Sequence, residues 1–356
     1  DVPLGVFLSG GIDSSLVTQY ANQLGGEIKT FSIGFNESQF DESFYAEQVA
    51  NKLGTVHKTI SCSSSELYQL IGSYSHFFDE PLADASAIPT LLLAQKTKDY
   101  VTVALSGDGG DEIFFGYTRY KWFYWIEKAF SMPRSARKVM LSFLQRAYPE
   151  RGHQWRYLLS SLNKEEAYLR FMGSVHGLME MPPGLMSDDQ TNGLNASGNF
   201  TLRMANWDVM HYMPNDILTK VDRATMAFSL EARSPLLDYR LAELTRSQPV
   251  HFNFSPFDSK KALKQLLSNN FNNEFLNRKK QGFTLPLKAW LRNEMREEVN
   301  YWVYESGLIE QLSFYDVGSY RKRVEAYLAG QTNFYPEIWK LMVYGRWRQH
   351  FNEIVS

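Results

Sequence analysis

The first third of the chain alternates short apolar runs with stretches of helical spacing, and this alternation constrains the fold more than any other feature. Buried parallel strands joined by helical crossovers give this pattern, because parallel neighbours need long connections. The apolar runs predict strands at Val6 to Leu8, Lys29 to Ile33, Val56 to Ile60 and Val101 to Leu105. The helical spacings predict one helix at Ala46, Val49, Ala50 and Leu53, and another from Ile88 to Lys98.

This pattern predicts an α/β fold with a parallel, doubly wound sheet over residues 1–117. After Tyr117 the strand signal disappears, and residues 118–356 are predicted to be mostly helical, with turn-rich stretches such as Pro182 to Asn199. We expect the two portions to complete one integrated domain. A chain of 356 residues with 44% hydrophobic residues can bury a core of that size.

Composition excludes several classes of protein. The net charge of −2 gives no electrostatic footprint for nucleic acid, and no apolar stretch approaches the roughly 18 residues that span a bilayer. The single cysteine, Cys62, rules out an internal disulfide and is expected to be a packing residue. The seven histidines are scattered without the spacing of metal ligands, so we expect no zinc site. A cytoplasmic protein with a small-molecule ligand fits best.

The run at Val6 to Leu8 ends in Ser-Gly-Gly-Ile-Asp-Ser-Ser, residues 9 to 15, and a helical pattern follows. Such a turn can bind a polyphosphate, because Gly10 and Gly11 can adopt positive φ and the helix N-terminus presents unpaired N–H groups. A helix terminus contributes only about 0.3–1 kcal/mol per anionic charge, so cations must help. Asp13 beside a phosphate predicts Mg²⁺ between them. The Walker pattern is absent, which excludes an ordinary γ-phosphate-cleaving P-loop.

A second turn follows the fourth predicted strand and reads Ser-Gly-Asp-Gly-Gly-Asp-Glu, residues 106 to 112. Alone, such a loop is most often only a turn. Because the carboxyl ends of parallel strands share one edge of the sheet, the two turns would face one ligand. Asp108, Asp111 and Glu112 then concentrate carboxylates beside the phosphates, which again requires Mg²⁺.

These motifs resemble the synthetase domain of glutamine-hydrolysing asparagine synthetases, a branch of the PP-loop ATP pyrophosphatases with an adenine nucleotide alpha hydrolase-like fold. The resemblance covers nearly the whole chain. It rests on residues 1–15, 30–35, 79–81, 86–89, 106–117, 220–226, 230–235 and 278–283.

The resemblance implies a ligase that forms a carbon–nitrogen bond. In this family ATP is split to AMP and pyrophosphate while the side-chain carboxylate of aspartate becomes an acyl-adenylate. Ammonia then attacks the adenylate to give asparagine. ATP would therefore be a substrate of this chain and Mg²⁺ its metal, and no nucleophilic side chain is needed.

The resemblance also implies roles by position. The pyrophosphate would be held by Ser9, Gly10, Gly11, Asp13, Ser14 and Ser15. The adenosine site would be lined by Leu8, Ile33, Ser106 and Gly107. Mg²⁺ would be bound by Asp13 and Asp111.

Two further residues would act on the reacting groups. Lys280 matches a family lysine on the phosphates and the adenylate, where it would stabilise charge that grows on the α-phosphate. Asp108 stands where some family members carry glutamate. As a hypothesis, it acts as general base for ammonia if neighbouring acids raise its pKa.

Two charged groups of residues keep two interpretations each. A structural ion-pair network or substrate contact would explain Lys220, Asp222, Arg223, Glu231 and Arg233. Helix capping and turn formation, or else aspartate binding, would explain the other set, and aspartate binding is not assigned to it here: Asp79, Glu80 and Asp84.

Family members that use glutamine carry an amino-terminal glutaminase domain with an N-terminal cysteine nucleophile, and this chain as given contains no such domain. No signal peptide is visible, and an upstream segment could have been removed, since the sequence opens almost directly on a strand. We expect the chain to use free ammonia or to depend on a glutaminase in cis or as a separate chain. A homodimer is also conceivable.

Three alternatives stay open. A related amidotransferase or amidoligase could act on another carboxylate, such as a sugar acid, a β-amino acid that closes to a lactam, or a peptide side chain. A non-catalytic nucleotide-binding module is a second alternative. Sulfur-transferring or tRNA-modifying PP-loop enzymes rank lower, because those tend to carry paired cysteines or a basic RNA surface.

Overall fold

The structure is a computed structural model that describes residues 2–35, 43–147, 152–175, 193–278, 285–312 and 316–355. Its centre is one sheet of five parallel strands in the order β3-β2-β1-β4-β5. The strands are Leu4–Phe7 (β1), Lys29–Phe35 (β2), Val56–Cys62 (β3), Val103–Leu105 (β4) and Glu231–Arg233 (β5). The four predicted strands are confirmed, each within two residues at its ends.

Helices cover both faces of the sheet. Ile12–Leu24 (α1) and Ser43–Leu53 (α2) lie on one face, and Ser64–Gly72 (α3) and Ala87–Thr97 (α4) lie on the other. Alternate residues of β2, Phe31, Ile33 and Phe35, pack in one core cluster with α4. The predicted apolar stripe on α2 packs against Leu8, which directly follows β1. The doubly wound α/β fold is therefore confirmed.

The fifth strand was not predicted. Glu231–Arg233 has only three residues, two of them charged, and it pairs in parallel with β4. Three residues carry too little periodicity to be recognised as a strand. One edge of the sheet thus comes from the portion predicted to be helical, and the division at residue 117 stays a prediction.

Most of the remaining chain is helical, as expected. A short helix, Gly110–Ile113 (α5), follows β4. The longer α-helices that come after it are Thr118–Phe130, Arg134–Ala147, Gly152–Leu159, Lys164–Val175, Phe200–Trp207, Thr219–Met226, Tyr239–Ser247, Lys261–Leu267, Val317–Leu328 and Tyr335–Val355. Shorter α-helices are Asn273–Asn277, Leu287–Trp290, Arg296–Asn300 and Leu308–Gln311. Two π-helices are Asp208–Leu218 and Tyr301–Glu305, and 3₁₀ turns are Tyr74–His76, Pro235–Leu237 and Val250–Phe252.

A buried carboxylate anchors the helical portion. Asp208 is fully buried, and its Oδ2 accepts a hydrogen bond from Arg119 at 2.8 Å and one from Tyr120. Its Oδ1 accepts a hydrogen bond from Tyr168 at 2.6 Å. Buried charge is tolerated when it is paired and hydrogen-bonded in this way, so Asp208 ties three helices together.

None of the helices in the described ranges is both long and apolar enough to cross a membrane.

Candidate active site

The two glycine-rich turns lie side by side. Strand β1 pairs with β2 on one side and with β4 on the other, so the strand order reverses between β1 and β4. Ligands of open α/β sheets bind at such a reversal, beyond the carboxyl ends of the strands. Residues 9–15 follow β1 and residues 106–112 follow β4, which brings both turns to this place.

The first turn is compact and linked by its serines. Gly10 has φ of +69°, and a Cβ atom there would lie 2.6 Å from the carbonyl carbon of Tyr45. Only glycine fits this position without strain. Gly11 has φ of −70° and precedes α1, so it does not use the positive φ open to glycine. The hydroxyl oxygens of Ser9 and Ser14 lie 3.1 Å apart, and the Gly11 N–H donates to Ser9 Oγ at 3.3 Å.

Ser15, in the first turn of α1, is fully buried, and its hydroxyl has no hydrogen-bond partner among the residues that the structure describes. Its backbone N–H donates to the Gly11 carbonyl at 3.0 Å. A buried hydroxyl without a partner is costly, and such groups often contact a ligand or water. The turn therefore retains hydrogen-bonding capacity that the protein itself does not use.

The second turn packs directly on the first through its glycines. A Cβ atom on Gly107 would lie 2.8 Å from the Ser14 nitrogen, and one on Gly110 would lie 2.4 Å from Asp13 Oδ1. Ser106 is buried and its N–H donates to the Arg233 carbonyl at 2.8 Å, which fixes the start of the turn to β5. The absence of side chains at Gly107 and Gly110 lets the two turns form one continuous wall.

Asp13 and Asp111 converge on one positive charge, the ammonium group of Lys260. Lys260 Nζ lies 2.6 Å from Asp111 Oδ1 and donates a hydrogen bond to Asp13 Oδ2. The lysine is only 6% exposed and has φ of +55°. Sequence reasoning missed this residue, because a lysine so far along the chain gives no local sign of its partners. Its position at the start of a helix, against the helix dipole, is a weak signal.

The pair of carboxylates fits a hard divalent cation. Within the described residues, no group of three His, Cys, Asp or Glu side chains is placed to hold a metal ion. Mg²⁺, however, is commonly bound by one or two carboxylates and takes its remaining ligands from phosphate and water. The Lys260 ammonium group already stands as a cation between Asp13 and Asp111. The donor set therefore fits a Mg²⁺ ion shared with nucleotide phosphates.

Asp108, in the second turn, is half-buried, and its charge acts on Lys220 in a second charged cluster. Lys220 Nζ lies 2.7 Å from Asp84 Oδ2 and 3.0 Å from Ser86 Oγ. Burial lowers the pKa of Lys220, but Asp84, Asp216 and Asp108 raise it more, in that order. Lys220 is thus a paired cation at the edge of the site.

The two carboxylates around Lys220 differ in their ionisation. Burial favours the neutral form of Asp84, but Lys220 outweighs it and lowers the pKa of Asp84 to about 2. Burial and the charge of Asp84 raise the pKa of Asp216 to about 7. Asp84 also accepts hydrogen bonds from Ser86 N and Oγ, both at 2.9 Å, just before α4. These bonds form the turn predicted for Asp84, but Asp84 does not cap α4: the N-cap residue is Ser86, which makes no side-chain capping hydrogen bond.

The remaining members of the charged block are dispersed. Arg223 pairs with Asp79 at 2.5 Å, and Arg233 pairs with Glu231 at 2.6 Å, in both cases between largely exposed side chains. Exposed pairs of this kind contribute little to stability. The block is therefore one buried ion pair, that of Lys220, and separate surface pairs.

Glu112 is almost fully buried and accepts a hydrogen bond from the Tyr117 hydroxyl at 2.5 Å. Burial and the neighbouring charge of Asp111 raise its pKa to about 7. Its carboxyl group is thus engaged inside the protein, in contrast to the half-buried Asp108.

The other predicted site residues have different outcomes. Leu8 and Ile33 are 1% and 2% exposed and belong to two separate core clusters. Their contact with adenosine stays a prediction. Lys280 lies outside the described residues. Arg278, two residues before it, donates a hydrogen bond from Nη2 to the Gly10 carbonyl at 2.5 Å and lies 4.0 Å from the ring centre of Tyr45.

Comparison with known proteins gives a consistent result. The family model described as asparagine synthase matches residues 1–350. The chain is 32% identical over 98% of its length to asparagine synthetase [glutamine-hydrolyzing] 1 of Bacillus subtilis, covering 56% of that protein. It is 30% identical over 99% of its length to a putative asparagine synthetase of Mycobacterium bovis, covering 55% of it.

A more distant match is a Penicillium rubens protein named amidase chyE, which is 25% identical over 91% of the chain and of which 55% is covered. The chain spans about half the length of the curated relatives it matches. The family match extends over nearly all of the chain and includes both glycine-rich turns. This chain therefore belongs to the asparagine synthase family.

Proposed function

We propose that the chain is an ATP-dependent ligase that converts aspartate to asparagine. ATP would activate the side-chain carboxylate of aspartate as an acyl-adenylate and release pyrophosphate, and ammonia would then attack to give asparagine and AMP. The names of the two bacterial relatives support the reaction class. The chain spans about half of each relative, so the activity in their names is a proposal for these 356 residues.

The observation that carries the proposal is the convergence of Asp13 and Asp111, from two different turns, on one cation. Carboxylates in an anion-binding turn repel phosphate unless a cation lies between them. When bound there, Mg²⁺ would neutralise charge on the pyrophosphate that leaves. An arrangement that holds the two terminal phosphates leaves the α-phosphorus available to a carboxylate nucleophile.

The protein groups around the phosphates have separate tasks. The N–H groups at the start of α1 and the hydroxyl group of Ser15 are proposed to bind pyrophosphate oxygens. Ser9 and Ser14 are proposed to hold the shape of the turn and to donate to the same oxygens. Ser106 and Gly107, beside Leu8 and Ile33, are proposed to border the adenosine.

Lys280 is proposed to stabilise charge on the α-phosphate as the adenylate forms. Arg278 supports this placement, because its guanidinium group contacts the Gly10 carbonyl in the first turn. Arg278 precedes Lys280 by two positions in the sequence.

Asp108 is proposed to accept a proton from the attacking ammonia. It is half-buried, and it lies close enough to the Lys220 cluster to influence the pKa of that lysine. Asp108→Asn should retain adenylate formation and lose amide formation. Asp108→Glu, which restores the longer acid of some family members, should retain both steps.

The test of the proposed reaction is a substrate panel. The protein is incubated with ATP, Mg²⁺, ammonium and one candidate acid at a time, and pyrophosphate, AMP and the amide product are measured. Aspartate should release pyrophosphate and form asparagine in equal amounts. Release of ADP in place of AMP would refute the mechanism, and AMP production with a sugar acid, β-amino acid or peptide would replace aspartate as substrate.

Variants separate an enzyme from a nucleotide-binding module. Asp13→Asn and Lys280→Ala should each abolish pyrophosphate release, because they remove a metal ligand and a phosphate contact. Asp99→Asn and Lys288→Ala, at exposed positions, are the matched controls and should retain activity. ATP binding without AMP production for any acid would favour the non-catalytic module.

The nitrogen source is proposed to be free ammonia, or ammonia from a glutaminase in cis or on another chain. The same assay tests this with glutamine in place of ammonium. Turnover with glutamine by these residues alone would contradict the proposal, since Cys62 is buried in the core and offers no accessible nucleophile.

A further inference from the structure

We infer that Lys260 is a resident counter-ion that occupies the metal position in the nucleotide-free protein and keeps free divalent metal out. Its ammonium group would leave Asp13 and Asp111 when Mg²⁺ arrives with the nucleotide. This inference rests on the proposed function for the identity of the two metal-binding carboxylates. It goes further by assigning a role to a lysine that neither the motifs nor the family resemblance singled out.

The ion bridge is closely built. Lys260 Nζ is shared by the two carboxylates, at 2.6 Å from Asp111 and in a hydrogen bond to Asp13. All three side chains are largely buried, and that of Lys260 is 8% exposed. Two carboxylates that share one ammonium group lie close together and repel each other, and a cation between them offsets that repulsion. In the absence of metal, Lys260 supplies that cation.

The backbone is adapted to bring the lysine to this position. Lys260 has φ of +55°, a conformation that costs energy for any residue with a Cβ atom. A Cβ atom on Gly116 would lie 1.9 Å from Lys260 Cε and 2.1 Å from Asp111 Oδ1. The missing side chain at Gly116 thus leaves the space that the Lys260 side chain occupies. We expect a strained backbone at Lys260 if its ammonium group has a function at this position.

The lysine and a metal cannot share the position. Mg²⁺ binds carboxylate oxygens at about 2.0–2.1 Å, so it would overlap an ammonium group held between the same oxygens. Free Mg²⁺ must displace the lysine and gains only two carboxylates in return. Mg²⁺ bound to ATP brings phosphate oxygens as further ligands, which favours the exchange. The metal is therefore expected to enter with the nucleotide.

The test measures metal binding without nucleotide. Mn²⁺, which also prefers oxygen ligands, is titrated into wild-type protein, Lys260→Met and Lys261→Met, and free Mn²⁺ is read by electron paramagnetic resonance. Lys261 is the control, since its Nζ donates to the His251 carbonyl away from the carboxylates. Lys260→Met should bind one Mn²⁺ at least about tenfold more tightly than the other two proteins. Adding Asp111→Asn to Lys260→Met should abolish the gain.

Tight Mn²⁺ binding by the nucleotide-free wild type would overturn the inference, and so would a Lys260→Met protein with no gain in affinity. Should Lys260→Met not fold, Lys260→Gln is titrated in its place, because its amide still donates a hydrogen bond. Tight Mn²⁺ binding by the wild type overturns the inference whichever variant folds. Since no ATP or turnover is involved, failure of the inference is distinguishable from failure of the proposed reaction, which is measured by pyrophosphate release.

Discussion

Replacing Asp216 by asparagine should change how the stability of the protein depends on pH. Asp216 is 8% exposed and lies beside Asp84, the partner of Lys220. Burial and the charge of Asp84 raise its pKa from 3.8 to about 7. At mildly acidic pH Asp216 therefore carries a proton in the folded protein and has lost it in the unfolded chain. An asparagine side chain retains the ability to donate to Asp84 but cannot ionise.

The sign and size of the effect follow from this difference. Between pH 3.8 and pH 7 the folded protein binds more protons than the unfolded chain, so the free energy of unfolding falls as pH rises. Each pH unit within that window costs about 1.4 kcal/mol. From pH 5 to pH 8, Asp216 should thus remove about 3 kcal/mol from wild-type stability, most of it below pH 7. The Asp216→Asn protein should lack this loss.

The assay is urea unfolding at constant ionic strength from pH 5 to pH 8, followed by tryptophan fluorescence and by circular dichroism. Coincidence of the two transitions licenses the comparison of free energies. Asp222→Asn, in a neighbouring helix with a 63% exposed side chain, is the control and should behave as wild type. The same pH dependence in wild type and Asp216→Asn would refute the reasoning.

Three further variants test the turns and the helical portion. Gly10→Ala should lower the free energy of unfolding by about 1–2 kcal/mol and weaken ATP binding, because alanine is strained at positive φ and its Cβ atom would clash with the Tyr45 backbone. Unchanged thermal stability would contradict this. Asp208→Ala should lower the free energy of unfolding by about 3–5 kcal/mol in denaturant titrations, because it leaves Arg119 buried without its charge partner. A loss below about 1 kcal/mol would refute the importance of this ion pair. Arg278→Ala removes a charge-assisted hydrogen bond to the Gly10 carbonyl, worth about 1.5–3 kcal/mol, and should raise KM for ATP. An unchanged KM would place this contact outside the nucleotide site.

The sequence predicts the parts of this protein that depend on local pattern. The four longer strand signals and the stripe on α2 were correct, because buried strands and helices impose distinct spacings on apolar residues. The two glycine-rich turns were recognisable for a similar reason: each follows a strand directly. Their adjacency followed from the rule that parallel strands end at one edge.

What sequence reasoning missed depends on contacts between distant segments. Lys260 reaches Asp13 and Asp111 only through tertiary folding, and nothing in its own neighbourhood specifies those partners. Strand β5 is defined by its pairing with β4 and not by its composition. The charged block around Lys220 looked like one network, but its members have separate partners and very different exposure.

The late arrival of β5 has a consequence for how the protein is synthesised. Strand β4 emerges from the ribosome with its outer edge open, and this edge is covered only when Glu231–Arg233 has been translated. An open strand edge invites pairing with other chains. The Ser106 N–H, which donates to the Arg233 carbonyl, also waits for that segment. Ribosome-bound chains that end before β5 therefore keep this strand edge exposed, and the second glycine-rich turn gains its backbone hydrogen bond to Arg233 only after β5 has been made.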